Sequence, residues 1–225
     1  MPFLVILYFV LIIITCNLHG SEKHRGRYAF FKLLTSLCFV AIALYAGYKG
    51  GFSSLYFYLL PGFWFAVAGD FLLGLAHTDR NYRGKAFLLG AAAFMLAHAA
   101  FYVAYTVNFG FHMVDLFFPL IFAACMFIVV RSERFALGRM RIPGLIYPFF
   151  VALLVSKGAT LLFFEGWAIR HGLVLCGGLF FLISDIVLLF MYFRVSPSKK
   201  PLGVLNLATY YLAMGLLGMS LYPFR

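Results

Sequence analysis

Two aspartates, Asp70 and Asp185, lie well inside long apolar stretches of this 225-residue chain. A charged side chain at the centre of a bilayer costs roughly 2.5–3.5 kcal/mol even on lenient scales, so acids in such places are functional candidates. Carboxyls carried by separate apolar helices are suited to holding and passing protons. The two share a local pattern: Phe65-x-x-x-Gly69-Asp70-x-x-Leu73 matches Phe180-x-x-x-Ser184-Asp185-x-x-Leu188. In both, a small residue before the acid permits close backbone approach, and Ser184 adds a hydroxyl donor able to serve Asp185. The match is compatible with a four-plus-four duplication of spans.

The other ionisable groups in apolar surroundings are Lys32, His98, Asp115, Lys157 and Glu165. Asp115 and Glu165 fall near span ends, where water reaches them, and Lys157 is placed to snorkel or to pair with one of them. Lys32, Asp70 and Asp185 are expected at one level of the bilayer, on three different helices. His98, Tyr102 and Tyr105 recur at i, i+4 and i+7, a single helix face. His77, beside Asp79, is a thin case for a metal site, and no Cys/His ligand spacing occurs. Cys16, Cys38, Cys125 and Cys176 stand singly and read as small core residues. No His-Glu-x-x-His, Gly-x-Ser-x-Gly or phosphate-cradling motif is present, so neither a metal nor a cofactor is expected.

The elements that position these groups follow from composition. The chain is 64% apolar and 11% charged, with a mean hydropathy of +0.98, against roughly 45–50% and about 25% for a soluble domain. In lipid the backbone must satisfy itself, and long apolar runs without alternation leave helices rather than a barrel. Eight spans are expected, near 2–18, 28–48, 53–76, 85–107, 111–130, 142–163, 167–193 and 201–222. Pro61 and Pro119 are candidate mid-span breaks. The sequence reads as one all-α transmembrane domain, 1–225, in a multi-pass membrane protein, and the first span reads as retained.

The net charge of +11 does not indicate nucleic acid, because 13 of 18 basic residues sit in the loops after spans 1, 3, 5 and 7. These are Lys23, Arg25 and Arg27; Arg80, Arg83 and Lys85; Arg131, Arg134, Arg139 and Arg141; and Arg194, Lys199 and Lys200. The alternate loops and termini offer Lys49, Arg170 and Arg225. The positive-inside rule then puts both termini on the non-cytoplasmic side. The loops are too short for a large soluble partner.

Several pieces resemble the YhhN family of lysoplasmalogenase-type membrane hydrolases over essentially the whole chain. They are Lys32 at the start of span 2, Gly69–Leu73 (GDFLL), Ala97–Tyr102 (AHAAFY), Ser184–Leu188 (SDIVL) and Thr209–Leu217 (TYYLAMGLL). Two positions depart from the family pattern: Leu33 stands where a proline is expected and Met214 where a glutamine is expected. The resemblance implies hydrolysis of the vinyl ether bond of lysoplasmalogens to a fatty aldehyde and a glycerophospho-choline or -ethanolamine. It makes Asp70 and Asp185 the catalytic pair; because Gly69 offers Asp70 no donor and Ser184 offers one to Asp185, Asp70 is expected as acid and Asp185 as base. Lys32, His98, Tyr102, Ser184 and Tyr210 become substrate-binding residues, Lys32 for the phosphate. The partners implied are a lysophospholipid and the bilayer, in a bacterial inner membrane or the endoplasmic reticulum. The rival reading of the residues alone is a small proton-coupled transporter, and a third is a lipid-binding protein without turnover.

Overall fold

The structure, a computed structural model, describes residues 1–82, 84–194 and 199–224. Arg83 and Arg225, used in the charge pattern, lie outside the described residues, as do the side chains of Arg139, Lys199 and Lys200. The order is α1 (Pro2–His19), α2 (Arg25–Lys49), α3 (Ser54–Thr78), α4 (Lys85–Phe109), α5 (Phe117–Arg131), α6 (Arg141–Phe164), α7 (Ile169–Phe193) and α8 (Lys199–Met219). Among the described residues eight helical segments are long and apolar enough to cross a membrane, so the protein is a multi-pass, all-α membrane protein.

The helices pack as a closed ring. α2 lies on α3, α3 on α4, α4 on α6, α6 on α7, α7 on α8, and α8 returns to α2. α1 and α5 stand outside it, with only 22% and 17% of their spans buried, against 50% for α2 and 56% for α6. α1 packs on both α2 and α8, whereas α5 packs on α6 and makes no comparable contact with α4. The centre of the ring is aromatic: Phe39, Phe63, Phe101, Phe181, Tyr105 and Tyr211 are all fully buried.

The fifth span differs from expectation. α4 ends at Gly110 with φ +82°, a left-handed conformation glycine takes at little cost. A 3-10 turn, Met113–Leu116, precedes α5, which leaves Pro119 in α5's first turn, where its missing N–H has no partner to lose. Pro61 does not break α3, and Pro148 lies inside a continuous α6.

The basic loops gather at one end. Arg80 pairs with Glu22 across the first and third loops, Tyr82 stacks on Tyr192 at 4.6 Å, and Phe135 bridges to Arg194. This is called the basic end below.

Candidate functional site

Asp70 precedes the last residue of α3 by eight positions and Asp185 precedes the last residue of α7 by eight. At 1.5 Å per residue both lie about 12 Å inside the basic end. The expected common level is present, but the surroundings of the two acids differ.

Asp70 is fully buried. Its Oδ1 accepts from the Lys32 ammonium, and its Oδ2 accepts from Ser36 Oγ at 2.5 Å and from Tyr210 Oη at 2.6 Å. Lys32 is 5% exposed, with its Nζ 5.9 Å from the centre of the Phe94 ring and 5.6 Å from that of Tyr210. Three donors and no acceptor meet one carboxylate, the pattern that suits an ionised, fully paired group. Ser36 and Lys32 share a face because they are four apart on α2. Gly69 is small for a reason of packing, since a Cβ there would stand 2.7 Å from the Phe94 ring.

Asp185 retains 12% side-chain exposure. Its Oδ2 lies 3.2 Å from His98 Nε2, and the Tyr147 hydroxyl stands against the same carboxylate. His98 is wholly buried, packed on Phe181 at 4.1 Å, and its Nδ1 has no hydrogen-bond partner among the described residues. Among the described residues Asp185 is the sole charged one on the wall of an apolar cavity of about 780 Å³, open space at its mouth included. Phe94, Phe122, Val151 and Leu182 line it at or beyond the level of Asp185, and Val130, Leu137, Met140 and Phe193 line it toward the basic end. The cavity lies where α5 stands away from α4. Asp70 does not line it. Phe94, which packs on Tyr210 at 5.4 Å, forms the wall between the two acids.

The remaining sequence candidates separate. Ser184 does not serve Asp185. Its hydroxyl donates to Asn206 O at 3.1 Å and accepts from Asn206 Nδ2 at 2.9 Å, because consecutive helical residues point about 100° apart. Tyr210 belongs to the Asp70 cluster. Tyr102 leaves the His98 face for the far end, donating to Asp115 Oδ2 at 3.3 Å. Tyr105 Oη pairs with Ser220 Oγ at 2.8 Å. Asp115 does not reach water: it is fully buried, 3.3 Å from Lys157 Nζ and 2.6 Å from Thr160 Oγ1. Lys157 also donates to Gly110 O at 2.6 Å, so this ion pair clamps the turn before α5 onto α6. Glu165 is exposed, as expected. Ser36, Tyr147 and Asn206 were missed. Ser36 had a signal, its i+4 spacing from Lys32, while Tyr147 and Asn206 had none beyond being polar in apolar spans. No group of three or more potential metal ligands occurs among the described residues.

A ring of membrane helices that seals the Lys32–Asp70 pair and sets the Asp185 carboxylate on an apolar cavity defines a multi-pass membrane protein with an intramembrane acid site. The family model that matches residues 27–221 is that of the YhhN family. The chain belongs to this family, which includes lysoplasmalogenases. No curated protein and no solved structure matches the chain.

Proposed function

We propose that this protein is a membrane-embedded ether hydrolase that cleaves the vinyl ether bond of lysoplasmalogens, with the chemistry centred on Asp185. The observation that carries the reading is the Asp185 carboxyl, paired with His98 behind it, on the wall of an otherwise apolar cavity, in a chain of a family that includes lysoplasmalogenases. The lining suits a single-chain lipid, because apolar side chains cover an alkyl chain and leave one acid to face its ether group.

The Asp185 carboxyl and His98 Nε2 stand 3.2 Å apart, close enough to pass a proton between them, and the mechanism uses one proton carried by this pair. In the first step the proton passes to the β-carbon of the vinyl ether, leaving an oxocarbenium centred on the α-carbon. The Asp185 carboxylate, now ionised, stabilises that cation and takes a proton from the water that adds to the α-carbon. The hemiacetal then collapses: its C–O bond to glycerol breaks, the glycerol oxygen gains the hydroxyl proton, and the aldehyde is released. One water is consumed and the pair regains its proton. Tyr147 orients the carboxylate. Asp70, behind Phe94 and committed to Lys32, Ser36 and Tyr210, positions the wall of the site rather than giving a proton. That replaces the division expected from Gly69 and Ser184, Asp70 as acid and Asp185 as base, with Asp185 in both roles. With the basic end cytoplasmic, both termini lie on the opposite side and the substrate approaches from the inner leaflet.

The test is aldehyde release from a lysoplasmalogen by the purified protein in detergent micelles. Release by wild type that disappears in Asp185→Asn supports the reading. No release by correctly folded wild type refutes the activity, and full activity in Asp185→Asn refutes the mechanism.

A further inference from the structure

We infer that the phosphate of the substrate headgroup binds at the rim of the Asp185 cavity, against Arg131, Arg141 and Arg194, and not at Lys32. The inference rests on the lipid-hydrolase reading above.

Lys32 is unsuited to this role in the structure. It is 5% exposed, bound to Asp70, and absent from the cavity wall. The rim is different. Three residues that line the cavity toward the basic end, Val130, Met140 and Phe193, are each followed in sequence by an exposed arginine. None of Arg131, Arg141 and Arg194 forms an ion pair among the described residues. Glu133 is exposed in the same loop and pairs with none of them. Two of the guanidiniums fold back toward the membrane over phenylalanine rings. The Arg131 guanidinium carbon lies 4.4 Å from the Phe127 ring centre, and that of Arg194 lies 5.9 Å from Phe190.

The loop after Arg131 is strapped to the end of α7, which gathers these residues. Ala136 N donates to Phe193 O at 2.8 Å, Phe135 pairs with Arg194, and the Phe135 and Phe190 rings meet at 5.4 Å. α6 also begins at this rim, and the positive end of its helix dipole adds to the potential of the arginines. Arginine suits the ligand, because its planar fork matches two phosphate oxygens.

The spacing agrees. Phe190 follows Asp185 by five residues, about 7–8 Å along the helix axis, and the Arg194 guanidinium lies over that ring. In an extended lysoplasmalogen, seven bonds separate the phosphorus from the vinyl β-carbon, about 8–9 Å. A phosphate held at the guanidinium level therefore puts the reacting carbon beside Asp185, with the alkyl chain running on into the apolar part of the cavity.

The experiment measures binding of a saturated 1-alkyl lysophospholipid, which has no vinyl ether to cleave, and of the matching 1-alkylglycerol, which has no phosphate. Wild type is expected to prefer the phospholipid by roughly tenfold or more. The double variant Arg131→Gln/Arg194→Gln is expected to lose that preference while still binding the alkylglycerol, which also shows that it is folded. Restoring positive charge in Arg131→Lys/Arg194→Lys should recover part of it. Lys23→Gln/Arg27→Gln removes the same two charges elsewhere at the basic end and should leave the preference intact. Inorganic phosphate alone should bind at least tenfold more weakly than the lipid.

Unchanged preference in Arg131→Gln/Arg194→Gln, or an equal loss in Lys23→Gln/Arg27→Gln, overturns the subsite. Inorganic phosphate binding as well as the lipid overturns the headgroup assignment. Arginine-dependent binding of this inert ligand by a protein that releases no aldehyde from a lysoplasmalogen would refute the hydrolase reading and leave the subsite standing.

Discussion

Asp70 and Asp185 occupy matching places in the two halves of the bundle, yet one is sealed and the other opens on a cavity. Each acid sits on the third helix of its half. Each takes one partner from the preceding helix, Lys32 on α2 or Tyr147 on α6, and one from the last helix of the other half, Tyr210 on α8 or His98 on α4. Four residues further along, Lys32 is followed by Ser36, which donates to Asp70, whereas Tyr147 is followed by Val151, which lines the cavity. The outer helices differ as well: α1 packs on α8, but α5 makes no comparable contact with α4. The difference teaches that depth in the membrane does not assign a role to an acid. The number of donors that reach it, and whether a neighbouring helix stands away, decide whether it pairs or reacts.

The largest effect should separate the two acids by activity. Asp185→Asn is expected to lower aldehyde release by about 10²–10⁴-fold, the usual worth of a general acid–base group, while leaving thermal unfolding in detergent nearly unchanged. An equal loss per folded molecule in Asp70→Asn would break the comparison.

Stability should separate them the other way. Lys32→Met leaves a buried carboxylate without its cation, a loss of about 3–5 kcal/mol, visible as a large drop in unfolding temperature. The double variant Lys32→Met/Asp70→Leu should recover most of that loss. If it does not, Asp70 does more than balance a charge. Removing His98, by contrast, should lower activity more than stability.

The small residues before the acids offer a finer contrast. Gly69→Ala drives a methyl into the Phe94 ring and should cost about 1–3 kcal/mol. Ser184→Ala loses only its contacts with Asn206, about 0.6 and at most about 1.7 kcal/mol, with activity retained. Equal costs at the two sites would show that Phe94 yields freely. The smallest effect is expected for Tyr102→Phe. Its hydroxyl serves Asp115 at the far end, so aldehyde release should stay within twofold of wild type and stability should fall by about 0.6 kcal/mol. A marked rise in KM would instead bring Tyr102 back to the substrate.

Much of this architecture was written in composition and spacing. Lipid leaves the backbone no partner but itself, so 64% apolar residues in long runs required helices, and loop arginines marked which helix ends lie together. Asp70 and Asp185 stood out because acids are costly at that depth, and counting residues from the helix ends put them at one level. Only the tertiary structure decided what each acid meets. A helical residue's direction within the bundle depends on which helices flank it, and that direction turned Ser184 toward Asn206, Tyr102 toward Asp115, and Lys32 inward to Asp70. The cavity was equally invisible in the chain, because it is made by a helix that does not pack, and an absent contact leaves no pattern in the residues of either partner.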